Sequence, residues 1–258
     1  MKLSFGERWT EDFMQSLGMH NLPKKTAIIS GASQGIGRMI ASILAKNGWN
    51  LILNSRSDFL PEDLAEYFVQ GRIFHVPGDI SDPLVCKALV DKAVQEFGGI
   101  NCAILNAGIG FFGSFLDTSQ EMISKIVNTN LLGSIFLAQN ALPELLKNSS
   151  SNLIFISSTA GFRGGANEAV YASTKFAQTG LAGSLDREFR KAGLKVTVIA
   201  PGATETSFAL DNGRDASTIQ EYGYLNPSDV ADAVYYTLSL AANSRIQQLV
   251  ILPMTQQS

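Results

Sequence analysis

The chain has 258 residues, 45% of them hydrophobic and 17% charged, and a net charge of -3. That length supports one full hydrophobic core, and the slight acidity argues against nucleic acid as a main partner. Cys86, Cys102, His20 and His75 show no ligand-cluster spacing, so no metal site is expected, and no apolar run is long enough to span a membrane.

Cys102 sits in an apolar run and Cys86 in an expected helix, which makes both buried, inert thiols. The N-terminus lacks the apolar stretch of a signal peptide, and the cytoplasm is the expected compartment.

Residues 1–23 form an extension ahead of the first strand. Phe5, Trp9, Phe13 and Leu17 recur every fourth residue, which predicts a short amphipathic helix stopped by Gly18. It would pack on its own domain or against another subunit. Residues 24–258 then read as one domain of alternating strands and helices. Strands are predicted at Thr26–Ser30, Trp49–Asn54, Ile73–Val76, Ala103–Leu105, Leu153–Ile156, Val196–Ile199 and Gln248–Leu252. Helices are predicted at Ile36–Lys46, from Pro61 to Gly71, from Pro83 to Phe97, from about Met122 to Lys147 with Pro143 as a bend, at Val170–Ala192 and at Pro227–Ala241. Continuous apolar strands alternating with helices mean a parallel sheet covered on both faces, an α/β doubly wound fold.

The turn Gly31-Ala32-Ser33-Gln34-Gly35-Ile36-Gly37 follows the first strand and opens a helix. Glycines let the backbone approach a pyrophosphate, and a helix N-terminus offers it free N–H groups and the positive end of a dipole. The second strand ends Leu53-Asn54-Ser55-Arg56. An acid there would bind a ribose 2′-hydroxyl, whereas a basic residue accommodates a 2′-phosphate. Arg56 therefore favours NADP(H) over NAD(H), with Ser55 able to add a neutral hydrogen bond. Asp58 nearby and the uncharged Gln34 count against it.

The chemistry is placed at Tyr171 and Lys175, four residues apart and so one turn apart on one helix face. A phenol has a reference pKa of about 10. A neighbouring ammonium favours the phenolate and can lower that value by roughly 1–3 units, making the pair a proton donor and acceptor near neutrality. Ser158, just beyond the predicted strand at Leu153–Ile156, can converge on the same substrate oxygen.

With these residues assembled, the sequence resembles the short-chain dehydrogenase/reductase family from about Lys24 to the end, with its Rossmann-type sheet. Asn106-Ala107-Gly108 is similar to the family motif after the fourth strand, Asp79 to the acid that contacts the adenine, and Asn130 to a fourth catalytic residue that holds a water leading to the lysine. The resemblance implies catalytic roles for Asn130, Ser158, Tyr171 and Lys175. It implies cofactor contacts from Gly31, Ser33, Gln34, Gly35, Ile36, Gly37, Ser55, Arg56, Asp79, Ile80, Asn106, Ala107, Gly108, Tyr171, Lys175, Pro201, Gly202, Thr204 and Thr206. In the implied reaction a hydride passes between nicotinamide and a carbonyl carbon. Ser158 polarises the carbonyl, Tyr171 protonates the alkoxide, and Lys175 holds the ribose and lowers the tyrosine pKa. Asn130 keeps a proton path to solvent.

The expected substrate is a small carbonyl or secondary alcohol, of ketone, β-keto or 3-hydroxy acid type. The ending Gln248–Thr255 resembles the NADP-dependent 3-hydroxy acid dehydrogenase and carbonyl reductase branch rather than the 3-oxoacyl-carrier-protein reductases, which end in a glycine-rich stretch. A non-catalytic redox sensor and a sugar-nucleotide epimerase or dehydratase are the other readings. The complete catalytic set speaks against the first, and the short segment after Pro201 against the second. Segments Ile109–Phe115, Gly161–Ala169 and Glu205–Tyr224 would shape the substrate pocket, the last of them as a lid. Arg163 would meet a substrate carboxylate or face solvent. The apolar residues Phe176, Leu181, Leu185 and Phe189 predict a homodimer or homotetramer paired through the two long helices.

Overall fold

The computed structural model describes residues 24–58, 61–214 and 224–255. Seven strands form one sheet in the order β3-β2-β1-β4-β5-β6-β7, and every pairing is parallel. They are β1 (Thr26–Ile29), β2 (Asn50–Ser55), β3 (Ile73–Pro77), β4 (Cys102–Leu105), β5 (Ser151–Ile156), β6 (Leu194–Pro201) and β7 (Gln248–Ile251). All residues of β1, β4 and β6 are buried. This is why β1 and β4 read as largely apolar runs rather than alternating ones, whereas β6 also buries Lys195 and Thr197, whose polar ends reach the Leu240, Ala241 and Ile246 carbonyls. Only β7, at the edge, alternates exposed and half-buried residues.

Seven α-helices are described: α1 (Gly35–Lys46), α2 (Ala65–Val69), α3 (Pro83–Phe97), α4 (Gln120–Val127), α5 (Gly133–Leu145), α6 (Ala169–Phe189) and α7 (Pro227–Ser239). Helices α1 and α7 pack together on one face, joining Ile40, Leu44, Val230 and Val234 to Ile29, Leu53, Ile104 and Ile199. Helices α3, α5 and α6 cover the other, with Leu89, Leu137 and Ala182 packed on Ile28, Leu105, Phe155 and Val198. The ends follow from local chemistry. Asp82 accepts a hydrogen bond from the Leu84 N–H at 2.8 Å ahead of Pro83, and Gly98 closes α3 in the left-handed conformation, φ 79°. Asn226 and Asp229 form a reciprocal capping box on α7.

Three expectations change. The stretch from Pro61 is a 3-10 turn, Glu62–Leu64, followed by the five-residue α2. Asp63 in that turn is held by Arg38 and Ser42 of α1. The long helix expected over 122–147 is interrupted not at Pro143, which α5 carries through, but by a π-helical segment at Asn128–Leu132. An extra residue in the turn is the usual origin of such a segment, and it re-aims the side chains within it. Here it leaves Asn130 with no solvent exposure. The last strand ends at Ile251, one residue earlier than expected. The amphipathic pattern at Phe5–Leu17 lies outside the described residues, as do residues 215–223 of the expected lid.

Candidate active site

Strand order reverses between β1 and β4, and a crevice opens beyond their C-terminal ends. Two turns meet there. The Asn106 amide donates to the Ser30 and Gly31 carbonyls, both at 2.9 Å. Ser30 Oγ donates to the Ile104 carbonyl and accepts from the Asn106 and Ala107 N–H groups, each at 3.1 Å. A Cβ on Gly37 would collide with the Gly31 carbonyl and the Asn106 amide, so only glycine allows this approach.

The crevice is a cleft of about 410 Å³. It brings together the residues expected for cofactor contact: Gly31 to Gly37 except Ala32, then Ser55, Arg56, Asp79, Ile80, Asn106 to Gly108, Pro201, Gly202, Thr204 and Thr206. Ser158, Tyr171 and Lys175 line its other end, and Asn130 lies behind the wall. Helix α1 points its N-terminus into the cleft with no side-chain cap and no acid in its first turn. Its first N–H groups therefore remain available to an anion, which fits a dinucleotide pyrophosphate. Gln34 Oε1 accepts from Ser207 Oγ at 3.1 Å, tying the glycine turn to the segment after β6.

At the far end, the side chains that compete with Arg56 are committed elsewhere. Asn54 is buried and donates to the Val76 and Gly78 carbonyls at 3.1 Å each. Asp58 faces His75 Nδ1 at 3.5 Å. Ser55 lines the cleft, but its hydroxyl donates to the Ser57 carbonyl at 2.7 Å and contacts His75 Nε2 at 2.9 Å. It is not the free donor the sequence led us to expect. Arg56 is exposed and has no ion pair among the described residues.

At the other end, strand β5 stops at Ile156. Ser157 and Ser158 then part company, a distinction two adjacent serines do not reveal in sequence. Ser157 Oγ turns to the Lys175 carbonyl, whereas Ser158 opens a 3-10 turn and accepts from the Ala160 N–H at 3.1 Å. Ser158 also hydrogen-bonds the Tyr171 hydroxyl. Phe112 and Phe208 flank the Tyr171 ring, with centroids 5.9 and 5.7 Å away.

Lys175 is 3% exposed. Its Nζ donates to the Ile156 carbonyl at 2.9 Å and to Gln178 Oε1 at 3.1 Å, and lies 5.6 Å from the centre of the Tyr171 ring. Asn130 grips the Ile109 peptide at both ends, accepting from its N–H at 2.8 Å and donating to its carbonyl at 2.9 Å, and donates to Thr174 Oγ1 at 3.1 Å. It thereby ties the turn after β4 to α6.

Gln178 was not found from sequence, because a polar residue three places beyond the lysine matches no motif. Arg214 was also missed. It lines the cleft and is held by the Thr204 and Phe208 carbonyls at 2.9 and 3.3 Å. Arg163 lines the cleft opposite Glu168, whose carboxyl burial pushes up and Arg163 pulls down.

The electrostatics depart from expectation. Burial raises Tyr171 to about 12, against the hydrogen bond from Ser158; Glu168 adds to the rise and Arg214 opposes it. Burial lowers Lys175 to about 7. Lys175 is not among the groups that lower the tyrosine here, and burial weakens its hold on the charge that would do so.

The short chain dehydrogenase family profile matches residues 25–216. An uncharacterized oxidoreductase of Staphylococcus aureus (strain USA300) is 30% identical over 233 residues, covering 90% of this chain and 98% of that protein. Among solved structures, the alcohol dehydrogenase of Thermococcus sibiricus complexed with 5-hydroxy-NADP is 28% identical. It has a TM-score of 0.80 and covers 91% of this chain and 99% of its own. The 3-ketoacyl-(acyl-carrier-protein) reductase of Brucella melitensis complexed with NADH is 25% identical, with a TM-score of 0.77, covering 88% of this chain and 96% of its own.

The lysine shift makes a test independent of activity. Between about 7 and its usual 10.5, Lys175 lacks a proton in the folded chain that it holds in the unfolded one. Stability therefore rises with pH across that window, is complete above the unfolded value and is lost as pH falls through about 7. Urea denaturation of cofactor-free protein between about pH 6 and pH 9 should show wild type gaining on Lys175→Met, with a limiting slope of about 1.4 kcal/mol per pH unit. Parallel profiles would show that the lysine is not shifted.

Proposed function

This chain belongs to the short-chain dehydrogenase family, and from that premise we propose that it is an NADP(H)-preferring reductase of small carbonyl compounds: ketones, β-keto acids and the corresponding 3-hydroxy acids in reverse. It is an oxidoreductase acting between alcohol and carbonyl with a nicotinamide dinucleotide. The observation that carries the finer reading is one cleft with a Ser158–Tyr171 hydroxyl pair at one end and an uncommitted guanidinium, Arg56, at the other.

The bound dinucleotide supplies the hydride. The uncapped N-terminus of α1 receives its pyrophosphate and Arg56 its 2′-phosphate. Ser158 donates a hydrogen bond to the substrate carbonyl oxygen, and Tyr171 delivers the proton to it as charge develops. A phenol raised to about 12 is fully protonated at neutral pH, the form a proton donor needs. Lys175 holds the ribose and anchors the tyrosine face of α6. Phe112 and Phe208 make the walls beside Tyr171 apolar, and Arg163 at the rim suits a substrate carboxylate.

We also propose a homodimer or homotetramer. Helix α6 leaves Phe176 46% exposed, and the edge strand β7 leaves Val250 50% exposed. The case on α6 is narrower than its sequence indicates, since Leu181, Leu185 and Phe189 pack partly on the core. Light scattering at micromolar concentration should give twice or four times the mass of the chain; a monomer would refute this.

Tyr171→Phe removes only the hydroxyl. It should lower kcat by the ~10²–10⁴-fold worth of acid–base catalysis, while NADPH binding survives. A variant retaining more than about a tenth of wild-type kcat in ketone reduction, followed at 340 nm, would refute the assignment.

Arg56→Ala tests the cofactor. A charge-assisted hydrogen bond is worth roughly 1.5–3 kcal/mol, so the Kd for NADPH should rise at least about tenfold with NADH little changed. Fluorescence titration showing equal loss for both, or none for either, would remove the basis for the NADP(H) preference.

A further inference from the structure

Gln178 lies one turn beyond Lys175 on α6 and is completely buried. Every polar atom of its carboxamide is used. Nε2 donates to the Asn130 carbonyl and to Ser134 Oγ, both at 2.8 Å, and Oε1 accepts from Lys175 Nζ at 3.1 Å. The neighbours fix the orientation: a carbonyl can only accept, so the amide nitrogen faces Asn130 and the oxygen is left for the amine. Ser134 Oγ donates to the same Asn130 carbonyl at 2.7 Å. That carbonyl lies in the π-helical segment.

These contacts place one side chain across the whole gap between the Asn130 backbone and the Lys175 amine. Ordered water filling the same space offers the same kinds of donor and acceptor to these partners. The amide differs from a water in two ways. It is tethered to α6, so it holds Lys175 Nζ on the side of the Ile156 carbonyl. It also keeps its protons, whereas a water passes one on as it receives another.

We propose that Gln178 is a positioning residue of the reaction, standing where a bridging water would otherwise connect Asn130 to Lys175, fixing the lysine and closing that route to proton exchange. The proposal rests on the reading that Tyr171 and Lys175 handle the proton. It changes the role expected for Asn130: its carbonyl anchors the lysine through Gln178, and the proton that Tyr171 spends is replaced from the cleft.

The test compares a small replacement with an isosteric one. Gln178→Ala leaves room for a water against three polar partners, whereas Gln178→Leu fills the volume and strands them. Bridging therefore ranks Ala above Leu, while a packing role ranks Leu above Ala. Ketone reduction with NADPH should show kcat for Leu at least about tenfold below that for Ala, with KM within about twofold, on protein verified as folded by circular dichroism. Gln178→Met, flexible and close in volume, replaces Leu if that variant does not fold. Equal or higher kcat in the Leu or Met variant overturns the bridge. Tyr171→Phe, assayed beside them, separates the two readings. If it keeps turnover, the catalytic assignment falls; if it is inactive while Gln178→Leu is active, only the bridge falls.

Discussion

The close approach of the turns after β1 and β4 is the constraint on which the rest of the site depends. Two parallel strands end side by side, and their exposed carbonyls must be satisfied before any ligand arrives. Asn106 and Ser30 do this by crossing the gap in both directions. The price is the absence of a side chain at Gly37. Once the two turns are locked, the N-terminus of α1 is aimed into the crevice, and Ala107 and Gly108 form its opposite wall. A Cβ on Gly108 would sit 3.4 Å from Asn130 Oδ1 and 3.8 Å from Lys175 Nζ, so the same turn abuts both residues. The glycine-turn end and the Tyr171 end of the cleft thus share one wall.

The second dependence is the burial of Lys175. An amine in a nearly dry pocket loses much of its preference for the charged form, and the structure compensates with acceptors: the Ile156 carbonyl and Gln178 Oε1. Neither carries a full negative charge, so the amine is held in place without being forced to stay protonated. The neighbouring tyrosine is likewise buried and kept neutral. In the cofactor-free protein burial favours the neutral form of both.

Most of this fold was legible in the sequence because parallel buried strands write themselves as continuous apolar runs. Thr26–Ile29 and Leu153–Ile156 are examples, and the turns between carry glycine, proline and asparagine where the backbone demands them. The cleft residues were legible because each answers a local requirement near a strand end. What was not legible depends on distant contacts. The π-helical segment at Asn128–Leu132 follows the same helical periodicity as its neighbours, and Pro143 is the more visible irregularity. Gln178 reads as one more polar residue on a helix until α4 and α5 bring Asn130 and Ser134 against it. Arg214 gains its place from the carbonyls of Thr204 and Phe208 and from the Tyr224 ring. The lowering of Tyr171 expected from Lys175 failed for a related reason: spacing shows that two groups share a helix face, but not that both are out of water.

The far end of the cleft shows how the fold commits the polar side chains that border it. From the end of β2 onward five polar residues follow one another, Asn54 to Asp58, of which Asn54, Ser55 and Arg56 line the cleft. Asn54 faces into the sheet, where its amide satisfies two carbonyls at the end of β3. Turning it outward would leave both unpaired at a cost of about 1–3 kcal/mol each, more than a hydrogen bond to ribose returns. Ser55 and Asp58 are drawn to His75, which burial holds toward its neutral form against the pull of Asp58. Of the three that line the cleft, Arg56 is the one with no hydrogen bond or ion pair from its side chain among the described residues. A guanidinium keeps its charge throughout the physiological range and matches a phosphate through parallel hydrogen bonds. The proposed 2′-phosphate contact thus falls to a side chain that the sheet does not need for its own stability.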